Sequence, residues 1–517
     1  MTIVGEKPPS LVTQSSTIGN DSPVLHFSDT EEIVGNEKSK HDPEAALTSS
    51  SLSTVEESEE PYTAYTAYTA YTSSRQLFIV LIATAAGVFA PIAGGAYLPN
   101  LILFESVFHA SGAVINATVS VYSAIYAVTP LFAAPVSDYF GRKGVYIITL
   151  GIFLVTNTLL ATLPATIGGL FTLRVFGALG ASVVTSVGAG TVADVTESAK
   201  RASRMGIFLL GPSLGPVLGP LIGGQFSTLA LWRWVFGFLS IACFPVYLLI
   251  LFFLPETLRS LVGNGSFYAN SSTWLVRPRL RQKQVVPEDL LNAKLPRLTF
   301  KKLFSLLLFV PNLIITVASG LQFSGLYCIY LAFPRVWQGD KYNWSGTQTG
   351  YAYIVPAVCL LLSTLLIGRL SDFLYRRYKS QHEDRAPPPE RRIDIQLWGY
   401  LLGAAGKALF GWLAYKGFHP AGPLAASGLA AVGTGLVMVT STAYQSEFQP
   451  SAAATASIVA LGGLLRNLGC SVSAAIIDPL LTKINLGWFF TGLAILDAIC
   501  TFGIVYIRVR GHTYRET

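Results

Sequence analysis

Ala134-Pro135-Val136-Ser137-Asp138-Tyr139-Phe140-Gly141-Arg142-Lys143 and Gly368-Arg369-Leu370-Ser371-Asp372-Phe373-Leu374-Tyr375-Arg376-Arg377 are two copies of one charged stretch, set 234 residues apart. In each, a carboxylate ends a hydrophobic run and two cations follow four and five residues later. Such a repeat predicts two related halves that present the same hinge at the same membrane face. Transporters are built that way, so the expectation is a membrane carrier.

Composition points the same way. Mean hydropathy is +0.50 and charged residues make up only 13% of the chain, too apolar for a soluble domain of this size. A spanning helix needs roughly 20 largely apolar residues. That rule places twelve, at 77–100, 113–135, 144–163, 166–189, 203–225, 233–254, 304–333, 347–369, 394–415, 421–444, 452–481 and 485–507. The expected fold class is an all-α membrane protein, with twelve transmembrane helices in two pseudo-symmetric six-helix bundles. Its divisions are a disordered tail at 1–75, bundles at 76–254 and 304–508, a linker at 255–303 and a short tail at 509–517. No cleavable signal is expected, because the polar, acidic N-terminus lacks a charged start followed by an apolar run.

Lys and Arg set the orientation. With the N-terminus cytoplasmic, the inside loops carry 24 cations and the outside loops five: Arg233, Arg335, Lys341, Lys416 and Lys483. Both termini, the linker and the two charged repeats are therefore expected in the cytoplasm. The net charge of +7 is this topological bias and gives no support for a nucleic-acid partner. Of the glycosylation sequons, Asn343-Trp344-Ser345 falls outside and is the expected acceptor. Those at Asn264 and Asn270 fall inside. The five cysteines lie within spans without metal-ligand spacing, and no metal or cofactor is expected. No nucleophile–base pair suggests an enzyme.

The first 75 residues hold twelve Asp/Glu against four Lys/Arg and are too polar to bury a core. From Tyr62 to Thr72 they repeat Tyr-Thr-Ala. Helix 5 carries the second strong pattern. Gly211, Gly215, Gly219 and Gly223 recur every four residues and form one smooth stripe that admits a neighbouring helix. Pro212, Pro216 and Pro220 follow one step on; they remove backbone donors and bend the helix. Three Gly-Pro steps in register predict a conformationally mobile helix.

With these residues in view, the chain resembles the major facilitator superfamily, and within it the fungal twelve-span drug:proton antiporters. The resemblance runs from about Leu77 to Tyr506. Besides the two charged loops and the helix 5 stripe, Thr172-Leu173-Arg174-Val175-Phe176 is similar to the family's membrane-arginine motif. Leu254-Pro255-Glu256-Thr257-Leu258-Arg259, Tyr97-Leu98-Pro99 and Gly487-Trp488 resemble a subgroup of quinidine-resistance-type multidrug exporters and fungal citrate or itaconate exporters. The resemblance implies alternating access with proton antiport. It also implies that Asp138 reaches helix 11 and, by symmetry, that Asp372 reaches helix 5, with Arg142 and Arg376 bracing a cytoplasmic latch.

Ionisable groups in a membrane are costly and rarely idle. Arg174 on helix 4 and Arg466 on helix 11 are expected near mid-depth at the central cavity, where they would attract an anion or a polar substrate group. Tyr122 and Tyr126, one turn apart on helix 2, together with Gln322, Phe323 and Tyr444, are the expected pocket. Gln322 is favoured because a mid-helix amide needs a partner. Lys407 and Asp497 are expected to form a supporting ion pair or to snorkel separately, and Glu105 and Asp478 to be solvated at outer helix ends. No acid stands at mid-depth in helix 1, so no proton carrier announces itself. The expected function is export of drugs, toxins or secondary metabolites, driven by protons, by a monomer in the lipid bilayer of the plasma membrane. An organic-anion exporter, a vacuolar location and a non-transporting sensor stay open.

Overall fold

The computed structural model describes residues 69–262, 264–265, 309–381, 391–448 and 452–511. The expected tail disorder, the Asn270 sequon, most of the linker and the start of helix 11 at Pro450-Ser451 lie outside the described residues. Every long element is a helix. The first bundle comprises α1 (Ser73–Tyr97), extended by a 3-10 turn (Leu98–Asn100) and α2 (Leu101–Val107), then α3 (Gly112–Phe140), α4 (Arg142–Thr162), α5 (Ile167–Val195), α6 (Ser198–Gln225) and α7 (Trp234–Phe253). The short α8 (Arg259–Val262) follows it. The second bundle comprises α9 (Val310–Trp337), α10 (Gly346–Ala352) running into α11 (Ile354–Gln381), α12 (Arg391–Lys416), α13 (Ala421–Phe448), α14 (Ala452–Leu481) and α15 (Leu486–Arg510).

Eleven of these stretches are long and apolar enough to span a membrane among the described residues. The twelfth long helix, α12, falls short because it carries Lys407. It is nevertheless packed between α13 and α15, and Lys407 is buried. The twelve expected spans thus correspond to twelve helices. Helix 1 extends further, through Val107, and helix 7 begins later, at Val310.

The glycine stripe of α6 lies on α1. A Cβ at Gly211 would collide with the Thr84 carbonyl oxygen, one at Gly215 with Pro91, and one at Gly223 with the Ala96 carbonyl oxygen. At Gly219 it would come 2.8 Å from the Cα of Gly95. Only hydrogen at these positions lets two backbones pack this closely. Pro212, Pro216 and Pro220 stay inside one continuous α6. A fifth glycine, Gly224, faces the second bundle: a Cβ there would sit 2.9 Å from the Cα of Gly350, and Thr347 donates to the Gly224 carbonyl at 3.0 Å.

The bundles meet along two crossings, α6 with α10 and α3 with α14. In the second, Ser120 and Ser471 each donate to the other's carbonyl oxygen, at 2.8 and 2.9 Å. Near the end of α9, Arg335 pairs with Glu105 of α2 in the first bundle at 3.0 Å and with Asp478 of α14 in its own bundle at 2.5 Å. Gln338 donates to the Pro99 carbonyl at 2.9 Å. The largest apolar cluster also crosses here, joining Tyr97, Phe104 and Phe236 to Phe333, Trp337 and Tyr353. All of these contacts lie toward the face opposite Asp138, so the seam between the bundles is sealed on that side.

The two charged repeats differ in backbone. Gly141 takes φ of 94°, ends α3 and begins α4. A left-handed residue here favours glycine. The second repeat has Tyr375 at the matching position, and α11 continues unbroken to Gln381.

Candidate functional site

Arg174 is the centre of the candidate site. It follows Ile167, the first residue of α5, by seven residues, roughly 10 Å along the axis at 1.5 Å per residue. It therefore lies nearer the sealed face than the expected mid-depth. Its guanidinium carbon sits 4.0 Å from the ring centre of Tyr97 and 4.2 Å from that of Tyr122. Both rings are fixed from behind. The Tyr97 hydroxyl bonds Thr118 at 2.8 Å, the Tyr122 hydroxyl donates to the Ala90 carbonyl at 3.2 Å, and Tyr126 stacks on Tyr122 at 6.4 Å. Tyr327 of the second bundle lies within electrostatic range of Arg174 and Tyr122.

Arg174 is 4% exposed, and its Nε and Nη2 have no hydrogen-bond partner. Desolvating a cation is expensive in a membrane. The two ring faces return about 2 kcal/mol or more each at a desolvated site, but they cannot replace hydrogen bonds. A void of about 10 Å³ borders the guanidinium, lined by Tyr122, Thr156, Asn157 and Gly177 among others, at the threshold for a single water. Gly180 brings α4 against α5 here, since a Cβ would lie 2.5 Å from the Thr149 carbonyl oxygen. The arrangement is a buried cation with free donors, framed by aromatic faces at the seam. Chemically it suits an acceptor-rich, flat group.

Arg466 stands midway along α14, half-buried. Its guanidinium lies near Gly462, as does the carbonyl oxygen of the Gln445 side chain. Phe323, on α9, is half-buried. Gln322 and Tyr444 are placed differently from expectation. Gln322 is fully buried inside the second bundle, where its Oε1 accepts from Lys407 at 2.9 Å. The amide oxygen has a partner, but that partner lies away from the seam. Tyr444 is fully buried among Ile315, Ile393, Tyr400 and Ile504, in the core of its own bundle. Helix rotation, which the sequence does not reveal, turned both side chains inward.

Lys407 and Asp497 form the supporting pair, at 2.5 Å, with side chains 0% and 2% exposed. Gly325 makes room for the lysine; a Cβ there would come 2.6 Å from Nζ. Glu105 and Asp478, expected to be merely solvated, are both partners of Arg335, Glu105 across the seam and Asp478 within the second bundle.

At the opposite end, Arg142 pairs with Asp138 at 2.7 Å and with Asp194 of α5 at 3.0 Å. Glu256 is buried and accepts from the backbone N–H of Arg142, Lys143, Thr257 and Leu258, at 2.8 to 3.1 Å. It thereby satisfies the first two N-terminal donors of α4. Asp194 and Glu256 are gate-side residues that the sequence does not single out, although Glu256 stands in a quoted motif; Asp194 lies beyond the expected span 166–189, on the last turn of α5. The helix 11 residues that Asp138 was expected to reach, and the side chains of Asp372 and Arg376, lie outside the described residues. Next to Glu256, Tyr71 is buried and its hydroxyl donates to the Glu256 carbonyl at 3.4 Å; burial pushes that hydroxyl's pKa up to about 12. Asn343, the sequon residue, is exposed between α9 and α10 with φ of 52°.

The family model described as Major Facilitator Superfamily matches residues 77–474. Dityrosine transporter 1 of Saccharomyces cerevisiae is 32% identical over 522 residues, covering 96% of this chain and 91% of that protein. Multidrug transporter DTR1 of Candida glabrata is 33% identical over 457 residues, covering 83% of each. Among solved structures, a D-xylose-proton symporter superposes with a TM-score of 0.61 at 16% identity, covering 82% of this chain and 96% of that one, a likeness of fold.

Proposed function

The chain belongs to the Major Facilitator Superfamily, and on that premise we propose how it exports small organic compounds and of what kind. The solute carries a carboxylate and an aromatic ring, as dityrosine does, the compound named for its relative in Saccharomyces cerevisiae. The observation that carries this is Arg174 held between Tyr97 and Tyr122 with Nε and Nη2 unpartnered. A carboxylate supplies the missing acceptors in a charge-assisted bond, and a solute ring stacks with the tyrosines. Arg466, from the other bundle, engages a second polar group.

The Lys/Arg asymmetry supports a cytoplasmic Asp138 face and cytoplasmic termini; the membrane in this proposal is the plasma membrane, with Asn343 glycosylated outside. The state described is then sealed outside by the Gly224–Gly350 and Ser120–Ser471 crossings and by the Arg335 ion pairs. Opening outward separates these contacts, while α6 shifts along its glycine contact with α1. Asp138, Arg142, Asp372 and Arg376 latch the cytoplasmic side in turn. Proton entry drives export, and one chain suffices.

Efflux tests this. Cells lacking their own exporters are preloaded with dityrosine, labelled citrate or a cationic dye, with and without a proton uncoupler. Dityrosine efflux that collapses on uncoupling and is lost in Arg174→Leu is the expected result. Dye efflux unaffected by Arg174→Leu overturns the carboxylate reading. Citrate efflux that survives uncoupling overturns proton drive.

A further inference from the structure

A proton-driven carrier needs a group that changes protonation within the membrane, and the spans narrow the choice. Of the acids described, Glu105, Asp138, Asp194, Asp394, Glu447 and Asp478 stand at or near helix ends. Asp372 lies beyond the apolar span that ends at Ile367. Glu197, Glu256 and Asp340 lie between helices, as do the described histidines, His109 and His419. Asp497 differs. It follows Leu486 by eleven residues in a 25-residue helix, which puts it near the middle of α15, and it is 1% exposed.

Its surroundings are built around it. Lys407 Nζ is held by Asp497 Oδ2 at 2.5 Å, Gln322 Oε1 at 2.9 Å and the Gln322 carbonyl at 3.5 Å. Three helices, α9, α12 and α15, meet at one ammonium. The titratable groups facing it are Cys328 of α9 and Cys500 of α15. Tyr400 of α12 faces Asp497. Gln322 Nε2 is buried without an acceptor and points at Gly403, where a Cβ would collide with it. An orphan buried donor costs roughly 1–3 kcal/mol, so this triad is not at its best in the state described.

The helix that carries Gln322 also carries Tyr327, which lies within electrostatic range of Arg174. A change at the triad therefore reaches the solute site through one rigid helix. We propose that Asp497 is the proton-binding carboxylate of this carrier, and that Lys407 and Gln322 transmit its protonation to α9. While Asp497 is ionised, Lys407 is neutralised and α9 is held in place. Once Asp497 takes a proton, the ammonium is left with two neutral oxygens, this packing of α9 against α12 loses its advantage, and the other state of the carrier is favoured. The inference rests on the proton-antiport reading above.

Purified carrier in liposomes separates the two. Dityrosine is the probe, followed as gradient-driven accumulation and as counterflow, which needs binding and rocking but no proton gradient. Both are expected in the wild type. The double variant Lys407→Met/Asp497→Leu, which replaces the pair with apolar groups, is expected to keep counterflow and lose accumulation, while Asp497→Glu retains both. A wild type that counterflows dityrosine without accumulating it under a pH gradient overturns proton antiport, and this inference with it. Accumulation retained by the double variant overturns the inference alone. Loss of counterflow together with accumulation, in a variant that still unfolds cooperatively, makes the pair structural and overturns it too.

Discussion

Two of the buried cations, Lys407 and Arg174, are treated differently. Lys407 has a carboxylate at 2.5 Å and an amide oxygen at 2.9 Å, all within the second bundle. Arg174 has two aromatic faces at 4.0 and 4.2 Å and two nitrogens without partners, at the seam between bundles. A fully paired ion in a low-dielectric interior is committed to its partners. An ion steadied only by ring quadrupoles keeps its hydrogen-bonding capacity for something else. On the readings proposed above, the first charge holds or switches the fold and the second waits for a ligand.

The largest expected effect comes from breaking the first arrangement. Asp497→Leu alone strands Lys407 and should cost about 3–5 kcal/mol, read as a large fall in unfolding temperature in detergent. Adding Lys407→Met should restore most of it. The same insult at the second site should behave oppositely. Arg174→Leu removes an unpaired charge, so thermal stability should hold or rise, while dityrosine affinity falls about tenfold or more, 1.4 kcal/mol at the least. An Arg174→Leu carrier that unfolds as easily as Asp497→Leu would erase the distinction between the sites.

Tyr122 sharpens it further. Tyr122→Leu should weaken dityrosine binding by about 1–2 kcal/mol through loss of the ring face, whereas Tyr122→Phe, which keeps that face, should bind within a few-fold of the wild type. Equal losses in the two variants would assign the effect to the hydroxyl. The smallest effect is expected at Arg335, whose side chain is 36% exposed. Arg335→Gln should change stability by no more than about 1 kcal/mol and show itself instead in faster reaction of an impermeant thiol reagent with a cysteine introduced at Ser120.

Much of this was legible in one dimension. The two charged stretches, the four-residue glycine period of α6 and the run of apolar segments are local patterns, and local patterns fix helices and their symmetry. Arg174 was legible as well, because an arginine inside an apolar span has few idle explanations. Its partners were less so: Tyr97 is 77 positions away in the chain and was noticed only as part of a helix-end motif. Gln322 shows the limit most plainly. Its need for a partner was correctly inferred, yet the partner lies 85 residues on, and the direction in which α9 is rotated decided between seam and bundle core.

Composition, spacing and cation asymmetry therefore determined the class of molecule, the number of its helices and which residue types had to matter. Hydrophobic burial and backbone satisfaction in a membrane admit few other solutions to such a sequence. Tertiary structure alone decided which charges were spent on one another and which stayed available. That outcome depends on the rotational phase of helices joined by tens of residues of chain, a quantity set by side-chain packing across the bundle and carried by no single stretch of sequence.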